Sequence, residues 1–173
     1  MSDKRFHRII QNDFKAQKEF YMAYSQKLFL TIYRYVKNEQ DAGSIINMGF
    51  YKIFKALSDF EYQNEQMLVA WMKKIMINEA LTFLRQNSKF TNTALEIIEE
   101  PSLDELPSDK LVFEDYLKMV HELPQDLRTV FNLYAIDGFS HKEIAEKLEI
   151  KESSSRVYLA RARKILQQKI LDR

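Results

Sequence analysis

The chain has 173 residues and a formal net charge of +1, with three glycines, three prolines and no cysteine. This length suits one domain or two small ones, and the lack of cysteine excludes a disulfide scaffold and a cysteine zinc site. Few helix-breaking residues between long helical patterns predict an all-α fold. The N-terminus lacks the apolar core of a signal peptide, and no apolar run reaches the ~20 residues that span a bilayer. We therefore expect a soluble, cytoplasmic protein without membrane insertion.

The small net charge hides a strong division of charge along the chain. Residues 1–90 carry 14 basic against 9 acidic residues, and residues 151–173 carry 7 against 2, so each zone has a charge of +5. Residues 91–110, with 1 against 6, and residues 111–150, with 4 against 8, have charges of −5 and −4. Each basic zone coincides with a motif described below, which favours two anion-binding regions over merely solvated surface.

The first half of the chain shows helical periodicity. Apolar and aromatic residues recur every three or four positions from residue 6 to about residue 37, which predicts one long helix. Residues 38–41 are polar and break the pattern, and Asp41 is predicted to cap a second helix that runs to about residue 57. Residues 58–65 are polar but include aromatic side chains, and we interpret them as a loop.

A third helix, from near residue 66 to about residue 86, is predicted to carry a polar stripe. Lys74, Asn78, Leu81 and Arg85 follow at spacings of four, three and four, which places them on one side of a helix. Two cations and an amide on one stripe can follow phosphates and touch base edges. Taken alone, the same stripe would more often be a polar face turned to water, and Trp71 would more often be a core residue than a base platform.

The second half of the chain begins after an acidic segment. The helical pattern fades around residue 92, and residues 91–110, with two prolines and six acidic residues, are predicted to link two domains, 1–90 and 111–173. A short helix is predicted over residues 111–121 and another over residues 124–137.

A helix-turn-helix is predicted after residue 138. Ser140 is a good N-cap, and Glu143 three residues later completes a capping box. Ile144, Leu148 and Ile150 supply the buried side of the first helix. The second helix is basic, with Arg156, Arg161, Arg163 and Lys164. Such a second helix is chemically suited to a DNA groove.

The two halves together resemble an RNA polymerase sigma factor of the extracytoplasmic-function group, the minimal two-domain type. The spacing of Trp71, Ile75, Asn78 and Arg85 resembles the domain-two helix that engages the minus-ten promoter element. The second half resembles domain four, which reads the minus-thirty-five element, at Leu123, Pro124, Arg128, Phe131, Leu133, Gly138, Ser140, Glu143, Ile144, Ala145, Leu148, Arg161, Ala162 and Arg163. The resemblance covers residues 14 to 171, and the two motifs in this order are far more specific than either alone.

The resemblance implies roles for particular residues. The minus-ten element would be held by Tyr62, Gln63, Asn64, Lys74, Asn78 and Arg85, with Phe60 or Tyr62 stacking on an unpaired base. The minus-thirty-five element would be held by Ser153, Ser154, Arg156, Arg161 and Lys164, with Arg156 reading a base and Arg161 a phosphate. Core polymerase would be bound by Ile46, Asn47, Phe50, Ile53 and Phe54. The acidic linker would occupy a polymerase channel made for nucleic acid, unless it is simply disordered.

The chain departs from the family pattern at several positions. Ser44, Asn47 and Met48 stand where the family usually carries Asp, Gln and Glu on the polymerase-binding helix. Glu149 replaces the glycine of the turn, where a left-handed backbone would cost roughly 1 kcal/mol. On the last helix, Ser155 stands in place of an apolar core residue and Tyr158 in place of a cation.

The implied partners are core RNA polymerase, promoter DNA as duplex and as single-stranded non-template strand, and an anti-sigma factor; no cofactor is implied. Two other functions remain open from the residues. A helix-turn-helix regulator acting without polymerase predicts half-site symmetry in its DNA. A helical adaptor that binds only protein predicts no salt-dependent DNA binding.

An enzyme is disfavoured. His7, His121 and His141 fall in separate segments without metal-ligand spacing, and each is interpreted as a surface or capping residue. The chain has no glycine-rich phosphate loop. We therefore predict no catalytic residue and no metal site.

Overall fold

The computed structural model describes residues 3–87 and 113–172, and the predicted linker 91–110 lies outside these ranges. All regular structure in the described residues is helical, which confirms the all-α prediction. The chain divides into two compact units, residues 1–86 and 87–173. The helices are α1 Asp3–Ile10, α2 Phe14–Tyr33, α3 Glu39–Ala56, α4 Glu65–Asn87, α5 Phe113–Glu122, α6 Gln125–Phe131, α7 His141–Leu148 and α8 Glu152–Leu171. Every helix in the described ranges is too short or too polar to cross a lipid bilayer.

The single helix predicted for residues 6 to 37 is wrong, because the chain breaks between α1 and α2. Asn12 adopts a left-handed backbone with φ of 60°. Asp13 then caps α2, accepting a hydrogen bond of 2.9 Å from the backbone N–H of Ala16. That bond and a second one from Arg8 hold the pKa of the Asp13 carboxyl below its usual value. A short Asx side chain offers the backbone a local alternative to helix, which apolar periodicity does not register.

The start of α3 also differs from the prediction. Asn38, rather than Asp41, is the N-cap: its side-chain oxygen accepts a hydrogen bond of 2.6 Å from the Asp41 backbone N–H. The helix ends at Ala56 and continues as a 3₁₀ turn, Leu57–Asp59. Residues 60–64 form the predicted loop, and α4 and α5 begin and end within two residues of their predicted bounds.

The N-terminal unit is built around apolar sides of α2, α3 and α4. Its fully buried side chains include Phe20, Leu28, Ile32, Tyr35, Ile53, Leu68, Met72 and Met76. Helices α3 and α4 approach closely at Gly49, where a Cβ atom would lie 2.2 Å from the sulfur of Met76. The absence of a side chain at Gly49 therefore makes room for the buried end of the Met76 side chain, which a larger residue would force to move.

The C-terminal unit packs α6 and α7 against α8. A π-helical turn, Asn132–Ile136, extends α6. Arg128 is buried, and its guanidinium donates to the backbone carbonyls of His121 and Leu123, each at 3.3 Å. These bonds satisfy carbonyls at the end of α5, where a helix has no partners of its own. Burial lowers the pKa of Arg128 to about 10.

The helix-turn-helix has the predicted capping. Ser140 accepts from the Glu143 backbone N–H, and the Glu143 carboxylate accepts from the Ser140 backbone N–H at 2.8 Å, which forms the capping box. Between α7 and α8, Glu149 adopts the left-handed backbone with φ of 57°. The expected left-handed turn at a non-glycine residue is therefore confirmed.

Glu149→Gly is expected to stabilise the C-terminal unit, because glycine adopts this backbone without steric cost. We expect a gain of about 0.5–1 kcal/mol in the free energy of unfolding, measured in urea. The matched control is Gly138→Ala: Gly138 also has a positive φ, 75°, and a Cβ there would meet open space. The control should therefore lose stability through its backbone alone, and an unchanged Glu149→Gly would show that relief of the turn does not exceed the loss of the Glu149 side-chain interactions.

The prediction that His141 is a surface or capping residue is wrong, since it is 8 % exposed. Its Nδ1 lies 2.9 Å from the hydroxyl of Ser155, which is fully buried. Its ring stacks on Tyr134 with centroids 4.4 Å apart. A polar residue at position 155 is accommodated because a buried hydroxyl needs a hydrogen-bond partner, and the histidine is that partner. The Tyr158 side chain also turns inward and is buried.

Candidate nucleic-acid interface

The polar stripe on α4 is present on the surface. Lys74, Asn78 and Arg85 are exposed and follow one side of the helix. Leu81, predicted on the same stripe, is instead 2 % exposed and belongs to the core. Since α4 is 23 residues long, the side that meets the core drifts around it, and Leu81 falls at the edge of that side. The remaining surface has the composition of a phosphate-following helix face.

The loop before α4 presents two exposed amides, Gln63 and Asn64. The Asn64 side-chain oxygen accepts a hydrogen bond of 2.9 Å from the Met67 backbone N–H, so this residue also caps α4. An amide that both caps a helix and faces solvent is held in one orientation. With its oxygen used in the cap, the N–H₂ group of this exposed amide is the part that can donate to a base edge.

The two aromatic residues of this loop are both half-buried and differ in their ring contacts. Phe60 packs inward on Trp71, with ring centroids 4.7 Å apart. Tyr62 is half-buried and lies against Phe6 of α1 at 5.2 Å. Phe60 packs against the rings of both Phe6 and Trp71, which favours Tyr62 as the ring that stacks on a base.

The expected polymerase-binding stripe of α3 lies mostly in the core, which corrects the prediction. Ile46, Phe50 and Ile53 are 4 %, 2 % and 0 % exposed, so they cannot touch a partner in this structure. Phe54 is half-buried against Phe20 and Phe50, with centroids 5.9 Å from each. These side chains are buried because α2 packs on α3 and covers the apolar side that the resemblance assigned to polymerase.

The outer side of α3 carries residues that the sequence reasoning missed. Met48 and Tyr51 are 52 % and 55 % exposed, and the predicted Asn47 is exposed beside them. Lys52 forms an ion pair of 2.5 Å with Glu79 of α4, beside a groove of about 370 Å³ between the two helices. The sequence signal for this surface was the spacing of Met48 and Tyr51, which lie three residues apart and therefore on one side of α3. An aromatic residue at a protein surface is a common interface anchor.

The surface of α8 presents part of the predicted minus-thirty-five set. Ser153, Arg156 and Lys164 are exposed, and Ser154 is half-buried. The helix begins at Glu152, which forms an ion pair of 2.7 Å with Arg156. The exposed side chains of the first turn and a half of α8 are polar or charged, which suits the N-terminal part of a helix that reads a major groove.

Two further arginines of α8 are packed against the protein and do not extend freely into solvent. Arg161 is half-buried, and its Nε atom is buried without a hydrogen-bond partner. The guanidinium of Arg163 lies over the Tyr134 ring, 5.6 Å from its centroid. Both therefore have less freedom to reach a phosphate than Lys164 has. No three potential metal-ligating side chains come together anywhere in residues 3–87 or 113–172.

Each half of the chain matches a different protein-family model. The family model described as Sigma-70 region 2 matches residues 20–90, and the one described as Sigma-70, region 4 matches residues 113–166. The chain is 25 % identical over 180 residues to the ECF RNA polymerase sigma-E factor of Haemophilus influenzae, covering 94 % of this chain and 92 % of that protein. It is 26 % identical over 176 residues to the factor of the same name from Escherichia coli strain K12, covering 94 % and 91 %.

Among solved structures, the chain is similar in fold to the sigma factor RpoE from Bartonella quintana, crystallised with the anti-sigma factor NepR. The TM-score is 0.52 at 21 % sequence identity, and the similarity covers 87 % of this chain and 94 % of that one.

Proposed function

Since the chain belongs to the sigma-70 family of RNA polymerase sigma factors, in its extracytoplasmic-function group, we propose how its two units divide the work of initiation. The factor binds core RNA polymerase and directs promoter-specific transcription. The observation that carries our assignment is the pair of basic helix faces, one in each unit. These faces are Lys74, Asn78 and Arg85 on α4, and Ser153, Arg156 and Lys164 on α8.

In this proposal α8 enters the major groove of the minus-thirty-five element. Arg156 is exposed near the N-terminal end of the helix, which is the end that reaches base edges in helix-turn-helix proteins. Lys164 lies about two turns further along and holds the phosphate backbone. The Glu152 carboxylate, which pairs with Arg156, restrains the arginine before DNA arrives.

The N-terminal unit acts on the minus-ten element as it opens. The exposed cations of α4 hold the backbone of the non-template strand, while Tyr62, Gln63 and Asn64 capture an unstacked base. Base–aromatic stacking contributes roughly 1–3 kcal/mol, comparable to the few kcal/mol needed to extrude a base, so the loop makes opening favourable. Such a protein performs no covalent chemistry of its own, and its work beside chromosomal DNA implies the cytoplasm.

Polymerase docking is proposed for the outer side of α3, around Asn47, Met48 and Tyr51, rather than for the buried stripe. An exposed aromatic beside exposed apolar and amide groups has the character of an interface anchor with a polar rim. The relative from Bartonella quintana was crystallised with an anti-sigma factor. We propose that a protein of that class restrains this chain as well.

The assignment is tested by transcription with core polymerase on a library of genomic promoters. The expected result is initiation at a defined promoter class that requires both core enzyme and this protein. DNA binding with half-site symmetry and no requirement for core enzyme would instead indicate a helix-turn-helix regulator. Core binding without any salt-dependent DNA binding would indicate a protein adaptor.

The combined variant Gln63→Ala, Asn64→Ser is expected to impair strand opening while leaving duplex binding by the holoenzyme nearly intact. Serine retains an N-cap oxygen for α4 but removes the amide, whereas Asn64→Ala would also cost about 1 kcal/mol of cap stability. Opening is measured by permanganate reactivity of unpaired thymines, and base preference by a randomised minus-ten element. Thermal unfolding of Asn64→Ser alone checks that serine keeps the cap of α4. Normal opening with unaltered preference would remove the two amides from the mechanism.

A further inference from the structure

Four aromatic rings of the N-terminal unit, from α1, α4 and the loop between them in space, contact one another. This loop is residues 60–64, the segment proposed to read the minus-ten element. Phe6 of α1 lies 5.2 Å from Tyr62 and 6.5 Å from Phe60, between ring centroids. Phe60 in turn lies 4.7 Å from Trp71 of α4. The rings thus form a continuous cluster that joins α1, the loop and α4.

Burial ranks the members of this cluster. Phe6 is 7 % exposed, whereas Tyr62 is half-buried and retains surface toward solvent. A side chain that closed over the loop from outside would be more exposed than the loop residue that it covers. Phe6 instead lies beneath Tyr62, in the position of a support.

The orientation of α1 is held by several polar contacts. The Arg8 guanidinium donates twice to the Asp13 carboxylate, at 3.0 and 2.9 Å. The Gln17 side chain of α2 donates to the backbone carbonyl of Ile9 at 3.3 Å, and Ile9 itself is 1 % exposed. Helix α1 therefore presents Phe6 from a fixed direction, although it precedes residue 20, where the region 2 match begins.

We propose that Phe6 is a positioning residue for promoter reading: it backs the Tyr62 ring so that Tyr62 can stack on an unpaired minus-ten base. The inference rests on the proposed role of the loop and adds α1 to the promoter-reading apparatus. A ring held against a buried neighbour loses less freedom when a base arrives, so pre-organisation lowers the cost of capture.

The experiment compares Phe6→Leu, Tyr62→Ala and the double variant, all as full chains with core polymerase. Phe6→Leu keeps an apolar side chain on α1 but removes the ring. It is expected to slow opening about three- to tenfold, the range of one aromatic pair. It should also shift tolerance at the same promoter base as Tyr62→Ala, and the double variant should be no worse than Tyr62→Ala alone, because the two residues act as a unit.

The matched control is Ile9→Val, which trims a buried aliphatic side chain of α1 and leaves all four rings in place. Thermal unfolding of each variant accompanies the opening and base-preference measurements. Impaired opening in Tyr62→Ala together with normal opening in Phe6→Leu, an additive double variant, or an equal defect in Ile9→Val would overturn the role of Phe6 and leave that of the loop intact. Normal opening in Tyr62→Ala would remove the proposed role of Tyr62, and the inference with it.

Discussion

Ile53→Asp is expected to unfold the N-terminal unit. Ile53 is fully buried in the last turn of α3, and a carboxylate there would lose its hydration without gaining a partner. We expect destabilisation of more than about 4 kcal/mol, near or beyond the whole stability of a small domain. The loss would appear in circular dichroism as missing helix and a missing cooperative transition.

The matched variant Tyr51→Asp separates docking from folding. Tyr51 lies on the same helix two residues earlier but is 55 % exposed, so the fold should survive. If Tyr51 anchors polymerase, its affinity for core enzyme should fall at least tenfold, as for an interface residue whose loss costs more than about 1.4 kcal/mol. Unchanged affinity in a folded Tyr51→Asp would place the docking surface elsewhere. A folded Ile53→Asp that lost only polymerase binding would restore the buried stripe as the interface.

Arg156→Ala is expected to give the largest loss in promoter recognition. A base-reading arginine contributes about 1–3 kcal/mol, so affinity for the cognate minus-thirty-five element should fall about 5- to 150-fold. Because a base contact carries sequence information, preference at one position should relax, while the effect on unrelated DNA should be small. Binding to cognate and scrambled duplexes over a range of salt measures both.

Lys164→Ala is the control for this prediction. Its side chain is exposed on the same helix, and loss of a phosphate contact should weaken binding to all sequences alike and reduce the salt slope by about one. Thermal unfolding should be unchanged in both variants, since neither side chain is buried. If Arg156→Ala behaves like Lys164→Ala, Arg156 holds backbone only. If Arg156→Ala changes nothing, α8 is not the reading helix.

Features set by local chemistry could be predicted from the sequence. Ser140 and Glu143 form the predicted capping box because a hydroxyl and a carboxylate three residues apart meet in any helix start. Glu149 adopts the predicted left-handed turn because the chain must reverse between two helices there. The existence of α3 and α4 followed from apolar periodicity, which records which residues avoid water.

Periodicity does not say what covers an apolar side. Ile46, Phe50 and Ile53 have the same spacing whether α2 or a polymerase covers them, and the structure shows that the chain itself does so. The break at Asn12 was missed for a related reason. Its cause is a competition between helix and a capping side chain, Asp13, whose outcome depends on how α1 packs against α2.

Most of the helices, the Ser140 capping box, the two basic zones and the family that their order resembles could be read from the sequence, since these depend on neighbours along the chain. The folded structure was needed to show which apolar residues are core and which lie open. It also brought Phe6 to Tyr62 across 56 positions and His141 to Ser155. Contacts between residues distant in sequence arise from how helices pack, and packing depends on the shapes of all the partners at once. The exposed surface at Tyr51 therefore became visible only in the folded protein.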